Sequence, residues 1–464
     1  MAYPSHHQMP YAPPTPPPPQ PRRRRTGRIV TITIGSVVLA LVALILAKHF
    51  TSSPQYTDEE IYAGSTQKVF NDLGKALKAK DEAAFVAPFT GEAKEQQRQL
   101  FRNLVKVPFT VARWEPLHQG VYGKSDIHVG FVHQIKGIDV APVYEQYTFT
   151  FANLGADGPK KVSKITASEK PEAGLPGTNY PAPWDVYEDM TVARKGRVLV
   201  VGDKRHGQDI NRFAPHVAQG ADDIVTAWDA NRPTGAKVAE NALVILEPDR
   251  KIFSAFYSGR TDGGDPNSFE AGYSQPLAAF KADYEDKIQS GGSRIVMDSS
   301  LSRFKGPDWK SGVEEITRHE FAHSLVSPLN TARGALRIEP SMWIVEGFAD
   351  YMEGRGNQGR NRAEEKAVLD GYSFGGILPP NDEELFYSTK TRDRSANYVL
   401  SRLVMEYLVK KHGERATFDF VVDSYVDPGN DRQLIEELTG QDRQAFSAGW
   451  ERYVRDRVPG IGTW

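Results

Sequence analysis

The sequence predicts an α+β chain assembled from several unlike parts, and three observations carry that expectation. Between residues 57 and 170 two helical stretches are followed by apolar runs of period two. From residue 185 onward a strand, a long helix and a second strand open a further region. Ahead of both, residues 29–47 run without a charge and separate a proline-rich tail from everything else.

A length of 464 residues is enough for two or three domains with buried cores. The formal net charge is -2, so no charge excess points to nucleic acid, and no nucleic-acid partner is expected. Cysteine is absent. Any metal site must therefore be built from His, Asp and Glu, and thiol chemistry is excluded.

Residues 1–21 are rich in proline and low in complexity, as expected of a disordered cytoplasmic tail. In residues 22–48, Arg22, Arg23, Arg24, Arg25 and Arg28 precede the 19-residue run IVTITIGSVVLALVALILA. As a helix rising about 1.5 Å per residue that run spans roughly 28 Å, close to the thickness of a bilayer's hydrocarbon core. The arginines ahead of it and the lone Lys48 behind it predict a single-pass cell-membrane protein, N-terminus in the cytoplasm and the remainder outside. The lipid bilayer is thus an expected partner. A cleaved signal peptide is the rival reading, against which stand the length of the run and the lack of an A-x-A site.

Residues 57–170 predict a small α+β domain. Helices are expected over residues 58–80 and 91–105, then strands in VPFTVARWEPL, DIHVGFVHQI, YEQYTFTFANL and KKVSKITAS. Helices followed by a curved antiparallel sheet resemble the nuclear-transport-factor-like fold, which hosts enzymes and inert spacers alike. His118, His128 and His133 are scattered on these strands and read as ordinary surface or core residues. The domain is expected to bind or to space. Residues 171–184, with their prolines and glycines, read as a linker.

Residues 185–464 carry the chemistry. RVLVV at 197–201 predicts a strand, 209–231 a helix and 242–246 another strand; RTDGGDPN at 260–267 reads as a surface turn. In SGVEEITRHEFAHSLV, Ser311 and Glu314 make an S-x-x-E capping box, and Val313, Ile316, Phe321 and Leu325 supply an apolar face. His319 and His323 are one helical turn apart on one face, the spacing that lets two imidazoles hold one ion. Glu320, one position on, flanks such an ion as a general base rather than a ligand. A catalytic zinc site needs a third protein ligand. In PSMWIVEGFADYMEGRG, Glu346 and Asp350 share a helix face, so Glu346 can ligate while Asp350 orients a ligand imidazole through its far nitrogen. Gly347 admits a close helix neighbour. The longer pattern with a third histidine fails, because Val326 and Leu329 occupy its positions.

HEFAH followed by WIVEGFAD resembles the gluzincin group of zinc metallopeptidases, and more narrowly the membrane-anchored, peptidase-MA-like proteins of actinobacteria. The resemblance covers roughly residues 185–458. It implies a zincin-like domain with a mixed sheet and C-terminal helices, and zinc held by His319, His323 and Glu346. It further implies Glu320 as the base, Asp350 behind a ligand, and RIVMD at 294–298 as the sheet-edge strand that aligns a peptide or protein substrate. By position in the family pattern Tyr398 is the oxyanion-stabilising group, with Tyr387, Arg392 and Arg394 as open alternatives. The activity so implied is zinc-dependent hydrolysis of peptide bonds outside the cell. The alternative is a catalytically silent zincin-like binding or scaffold protein tethered to the membrane.

Overall fold

The computed structural model describes residues 59–117, 126–152, 161–167, 182–231, 235–258, 271–280, 287–333 and 340–463. From Ile61 to Trp464 they belong to one compact unit. The fold is α+β, with a mixed sheet and C-terminal helices.

It begins with helices α1 (Glu59–Ala79), α2 (Glu82–Val86) and α3 (Gly91–Leu104). An antiparallel meander follows: β1 (Phe109–Pro116), β2 (Asp126–Ile135), β3 (Val143–Phe151) and β4 (Val162–Ala167), paired in that order. Helix α4 (Pro183–Val186) comes next, then the hairpin β5 (Met190–Lys195) and β6 (Val198–Asp203). Helix α5 (Gly207–Ala230) crosses over to β7 (Ala242–Glu247), and α6 (Arg250–Ser258) leads on to β8 (Gly272–Ala278) and β9 (Lys287–Asp298). After them come α7 (Trp309–Val326), β10 (Thr331–Arg333), α8 (Met342–Gly354) and α9 (Gln358–Leu369). The chain closes with β11 (Ser373–Phe374), α10 (Glu383–Phe386), α11 (Thr391–His412), α12 (Glu414–Val426), α13 (Asp431–Thr439), α14 (Arg443–Arg457) and β12 (Gly462–Thr463).

The second sheet is the middle layer, and alternation along its strands shows why. Val198, Val200, Val244 and Leu246 pack with α5, α7 and α8 in one core, while Leu199, Val201, Leu243 and Ile245 pack with Phe70, Phe131 and Phe149 of the N-terminal layer in another. Both faces of the sheet are thus buried, as continuous runs of β-branched residues require. Trp184, the last residue of the expected linker, and Tyr187 just beyond it sit inside the second core. The parallel pairs β6–β7 and β7–β9 form its centre, with the antiparallel β5 and β10 further out.

Two expectations are corrected here. Among the described residues no helix is long and apolar enough to cross a membrane. The two longest carry too many charges: α5, 24 residues, has Asp209, Arg212, Asp222 and Asp223, and α11, 22 residues, has Arg392, Arg394, Glu406 and Lys410. Residues 1–58, with the expected tail and the expected span at 29–47, lie outside the described residues. The single-pass anchor, the bilayer as a partner and the cell-membrane location therefore find no support in the structure. The glycine-rich turn at 260–267 and His118 also lie outside the described residues.

The second correction concerns RIVMD. It lies in β9, which pairs on one side with β7 and on the other with β8, so it is not an edge. Strand β8, GYSQPLA, pairs with β9 alone among the described residues and forms the border of the cleft below.

Candidate metal centre

Helix α7 begins at Trp309, two residues before the expected cap, because Trp309 packs edge-on against Phe213. Ser311 is consequently inside the first turn and donates to Glu315 at 2.9 Å, while Glu314 pairs with His216 at 2.7 Å. No capping box forms. The apolar face is as expected: Val313, Ile316, Phe321 and Leu325 are buried, each side chain contributing roughly 1.5–3 kcal/mol by its removal from water. That burial turns His319 and His323 toward α8.

Helix α8 meets them with Glu346. His319 Nε2 lies 3.3 Å from His323 Nε2 and 3.3 Å from Glu346 Oε2, and His323 Nε2 lies 3.5 Å from the same oxygen. Three ligands about 2.0–2.1 Å from a tetrahedral ion stand roughly 3.3–3.4 Å apart, so this triangle has the size zinc requires. Glu346 Oε2 is buried and has no hydrogen-bond partner, a costly condition for a carboxylate that a cation between the three atoms relieves. Among the described residues two groups of side chains could hold a metal ion: His319, His323 and Glu346, and His319, Asp350 and Glu353.

The far nitrogen of His319 explains the second group. Its Nδ1 is 3.2 Å from Asp350 Oδ1 and 3.2 Å from Glu353 Oε2. Both carboxylates come from α8. Glu353 was not anticipated, although residues 346, 350 and 353 follow one helix face; Arg360 reaches its other oxygen at 3.6 Å. Tyr387, directly after α10, closes the set by donating its hydroxyl to Glu346 Oε1 at 2.6 Å. That commits one carboxylate oxygen to the protein and leaves the other facing the histidines.

Two close approaches fix the surroundings. A Cβ on Gly347 would stand 2.7 Å from the carbonyl oxygen of Ser401, so α8 and α11 meet there with no room for a side chain. A Cβ on Gly272 would stand 2.7 Å from Cγ of Glu320, so β8 presses its backbone on that carboxylate. The resulting cleft, about 360 Å³, is lined by His319, Glu320, His323, Tyr387 and Tyr398, with Pro276 and Val345 among its apolar walls. A second chamber of about 370 Å³ shares Gly272, His319, Glu320 and both tyrosines.

The electrostatics follow from burial and charge. Burial pushes the Glu320 carboxyl up, against the pull of the His319 and His323 imidazoles. Burial also acts to raise Glu346, but His323 and His319 outweigh it and hold that carboxyl far below the usual range. Burial lowers the His319 imidazole, yet Asp350, Glu346 and Glu353 more than offset it and keep its pKa well above the ordinary histidine value. For Tyr398, burial and the Glu346, Asp350 and Glu320 charges raise the hydroxyl well above its usual pKa, so it stays a proton donor. Among the alternatives, Arg392 is engaged with the carbonyl of Asp370 at 2.8 Å, whereas Arg394 lines the second chamber.

No protein-family model and no curated protein matches the chain. Among solved structures it is similar to an M1 zinc metallopeptidase from Deinococcus radiodurans, at 15% identity and a TM-score of 0.31. The overlay covers 60% of this chain and spans 54% of the length of that peptidase. The geometry above stands apart from that likeness.

Proposed function

We propose that the chain is a zinc-dependent peptidase of the gluzincin type. The observation that carries this reading is the 3.3–3.5 Å triangle of His319 Nε2, His323 Nε2 and Glu346 Oε2, with Glu320 beside it in the same cleft.

In this reading His319, His323 and Glu346 hold zinc, and Asp350, with Glu353, fixes the ring and tautomer of His319. Zinc held there would supply Lewis acidity to the attacking water and the scissile carbonyl. Glu320 takes the proton of the attacking water and hands it to the leaving amine. Its burial, which raises its proton affinity, suits both halves of that shuttle. Tyr387 keeps Glu346 turned to the ion, which leaves Tyr398 as the hydroxyl that donates to the developing oxyanion.

The test is metal analysis beside digestion of a peptide library, with and without chelator. One zinc per chain and chelator-sensitive cleavage are expected. Glu320→Gln should retain the zinc and lose cleavage by about 10²–10⁴-fold, the weight of a general base. A protein that binds no zinc, or a Glu320→Gln variant that cleaves as well as the parent, sinks the assignment.

A further inference from the structure

Strand β8 borders the metal cleft, yet what holds it lies in the N-terminal layer. The turn between β2 and β3 reaches across to the β8–β9 hairpin. There Asp139 and Arg294, 6% and 4% exposed, form a forked ion pair: Nη1 to Oδ1 at 2.5 Å and Nη2 to Oδ2 at 3.2 Å. The Ile135 N–H donates to the same Oδ2 at 2.7 Å, so the carboxylate is oriented before the arginine meets it. Backbone bonds flank the pair, with Val140 and Ala141 N–H on Gly291 O at 2.9 and 3.1 Å and Phe280 N–H on Pro142 O at 2.7 Å. The Phe280 ring stands edge-on to Tyr144, centroids 5.4 Å apart. A Cβ on Gly291 would be 2.5 Å from Val143, so the two layers touch directly.

From this contact two short routes lead to the metal residues. Arg294 is paired with Gln275 of β8, three residues from the Gly272 that presses on Glu320. Its neighbour Ser293 shares a hydrogen bond with Ser324 of α7, next to His323.

We propose that Asp139 and Arg294 are positioning residues through which the N-terminal layer sets the placement of β8 as the substrate-side wall of the metal cleft. The layer is then neither a spacer nor an independent binding module. A forked, buried pair has the right character for this: it is rigid, directional, and tolerates little displacement. Strand β8, which pairs with β9 alone among the described residues, gains from such support, since a held strand edge is what an extended peptide can add to. The inference rests on the peptidase reading for its substrate side, but the support of β8 can be measured without it.

The experiment uses the full chain with Asp139→Asn, and separately with Asp139→Asn combined with Arg294→Gln, which leaves no unpaired buried charge. Amide hydrogen exchange should accelerate about tenfold or more over residues 272–280 in both variants, with α7 and α8 unaltered and zinc content unchanged. A dipeptide hydroxamate should bind about tenfold more weakly, whereas acetohydroxamate, which can reach only the metal, should bind as before. Unchanged exchange in β8, an equal rise in α7 and α8, or equal weakening of both hydroxamates would overturn the proposal. A parent protein that takes up neither zinc nor hydroxamate would count against the peptidase reading, and the exchange data would still decide the support of β8.

Discussion

Two histidine–glutamate pairs, one in each half of the molecule, have nearly the same geometry and opposite chemistry. In the N-terminal layer His133 Nε2 is 2.9 Å from Glu145 Oε1, with 0% and 1% of the side chains exposed. In the metal cleft His319 Nε2 is 3.3 Å from Glu346 Oε2, at 14% and 6%. Burial, helped by the charge of Arg294, pulls His133 down to about 3, and burial pushes Glu145 well above its usual value. That pair is a neutral one, packed among Phe109, Phe131 and Trp184. His319 faces three carboxylates instead, which hold its pKa well above the ordinary value and favour a charged pair. Distance alone does not tell a core contact from a metal site; the number of surplus acids around the imidazole does.

The comparison is broken most sharply by removing each histidine. His319→Ala should lower zinc affinity on the order of a thousandfold, measured by competition with a fluorescent chelator. His133→Ala should leave zinc affinity within about twofold and cost about 2–4 kcal/mol of stability in chemical denaturation, from lost packing and an orphaned Glu145. Equal effects of the two on zinc would erase the distinction drawn here.

Tyr387→Phe is the next test. Loss of its bond to Glu346 Oε1 should weaken zinc binding about 10–100-fold, whereas Tyr398→Phe should leave it intact and reduce turnover. The smallest expected effect is that of pH. In the metal-free chain the raised pKa keeps His319 protonated through neutrality, and zinc must displace that proton. Zinc affinity should therefore climb with pH, by up to about tenfold per unit above the ordinary histidine value near ~6.5, until the folded pKa is passed. The sign for stability is opposite: without zinc, the His319 contribution is complete below the unfolded pKa and is lost as pH rises through the folded one. Calorimetry in two buffers of different ionisation enthalpy reads the proton released; no release would contradict the charged pair.

How far the sequence discloses this site depends on which contacts are local. His319, Glu320 and His323, and likewise Glu346 and Asp350, lie on two helices whose periodicity fixes which residues share a face, so both constellations are legible. Glu353 continues the second series by three residues and reads, without a structure, as the polar end of a helix. Tyr387 was legible only as an open alternative to Tyr398 for the oxyanion; its bond to Glu346 was not, since that partner is 41 positions away. Strand β8 was missed because Gly272, Ser274, Gln275 and Pro276 leave no alternation to read; pairing with β9 makes it a strand. RIVMD was misplaced for the same reason, as nothing local announces the strand that covers it. The capping box failed where Trp309, two residues upstream, found an aromatic partner and lengthened the helix.

Gly347 bears on the choice of ion as well. Because the α8 backbone abuts the carbonyl of Ser401 with no side chain between, the reach of Glu346 toward α7 is set by helix packing rather than by a flexible loop. As the proposed zinc site, the three atoms would act as a calliper of nearly fixed span. A smaller ion would rattle between its three jaws, and calcium, whose oxygen ligands stand back at about 2.3–2.6 Å, would have to force two helices apart to enter. The gap between a glycine and a carbonyl oxygen thus becomes a gauge of ionic radius.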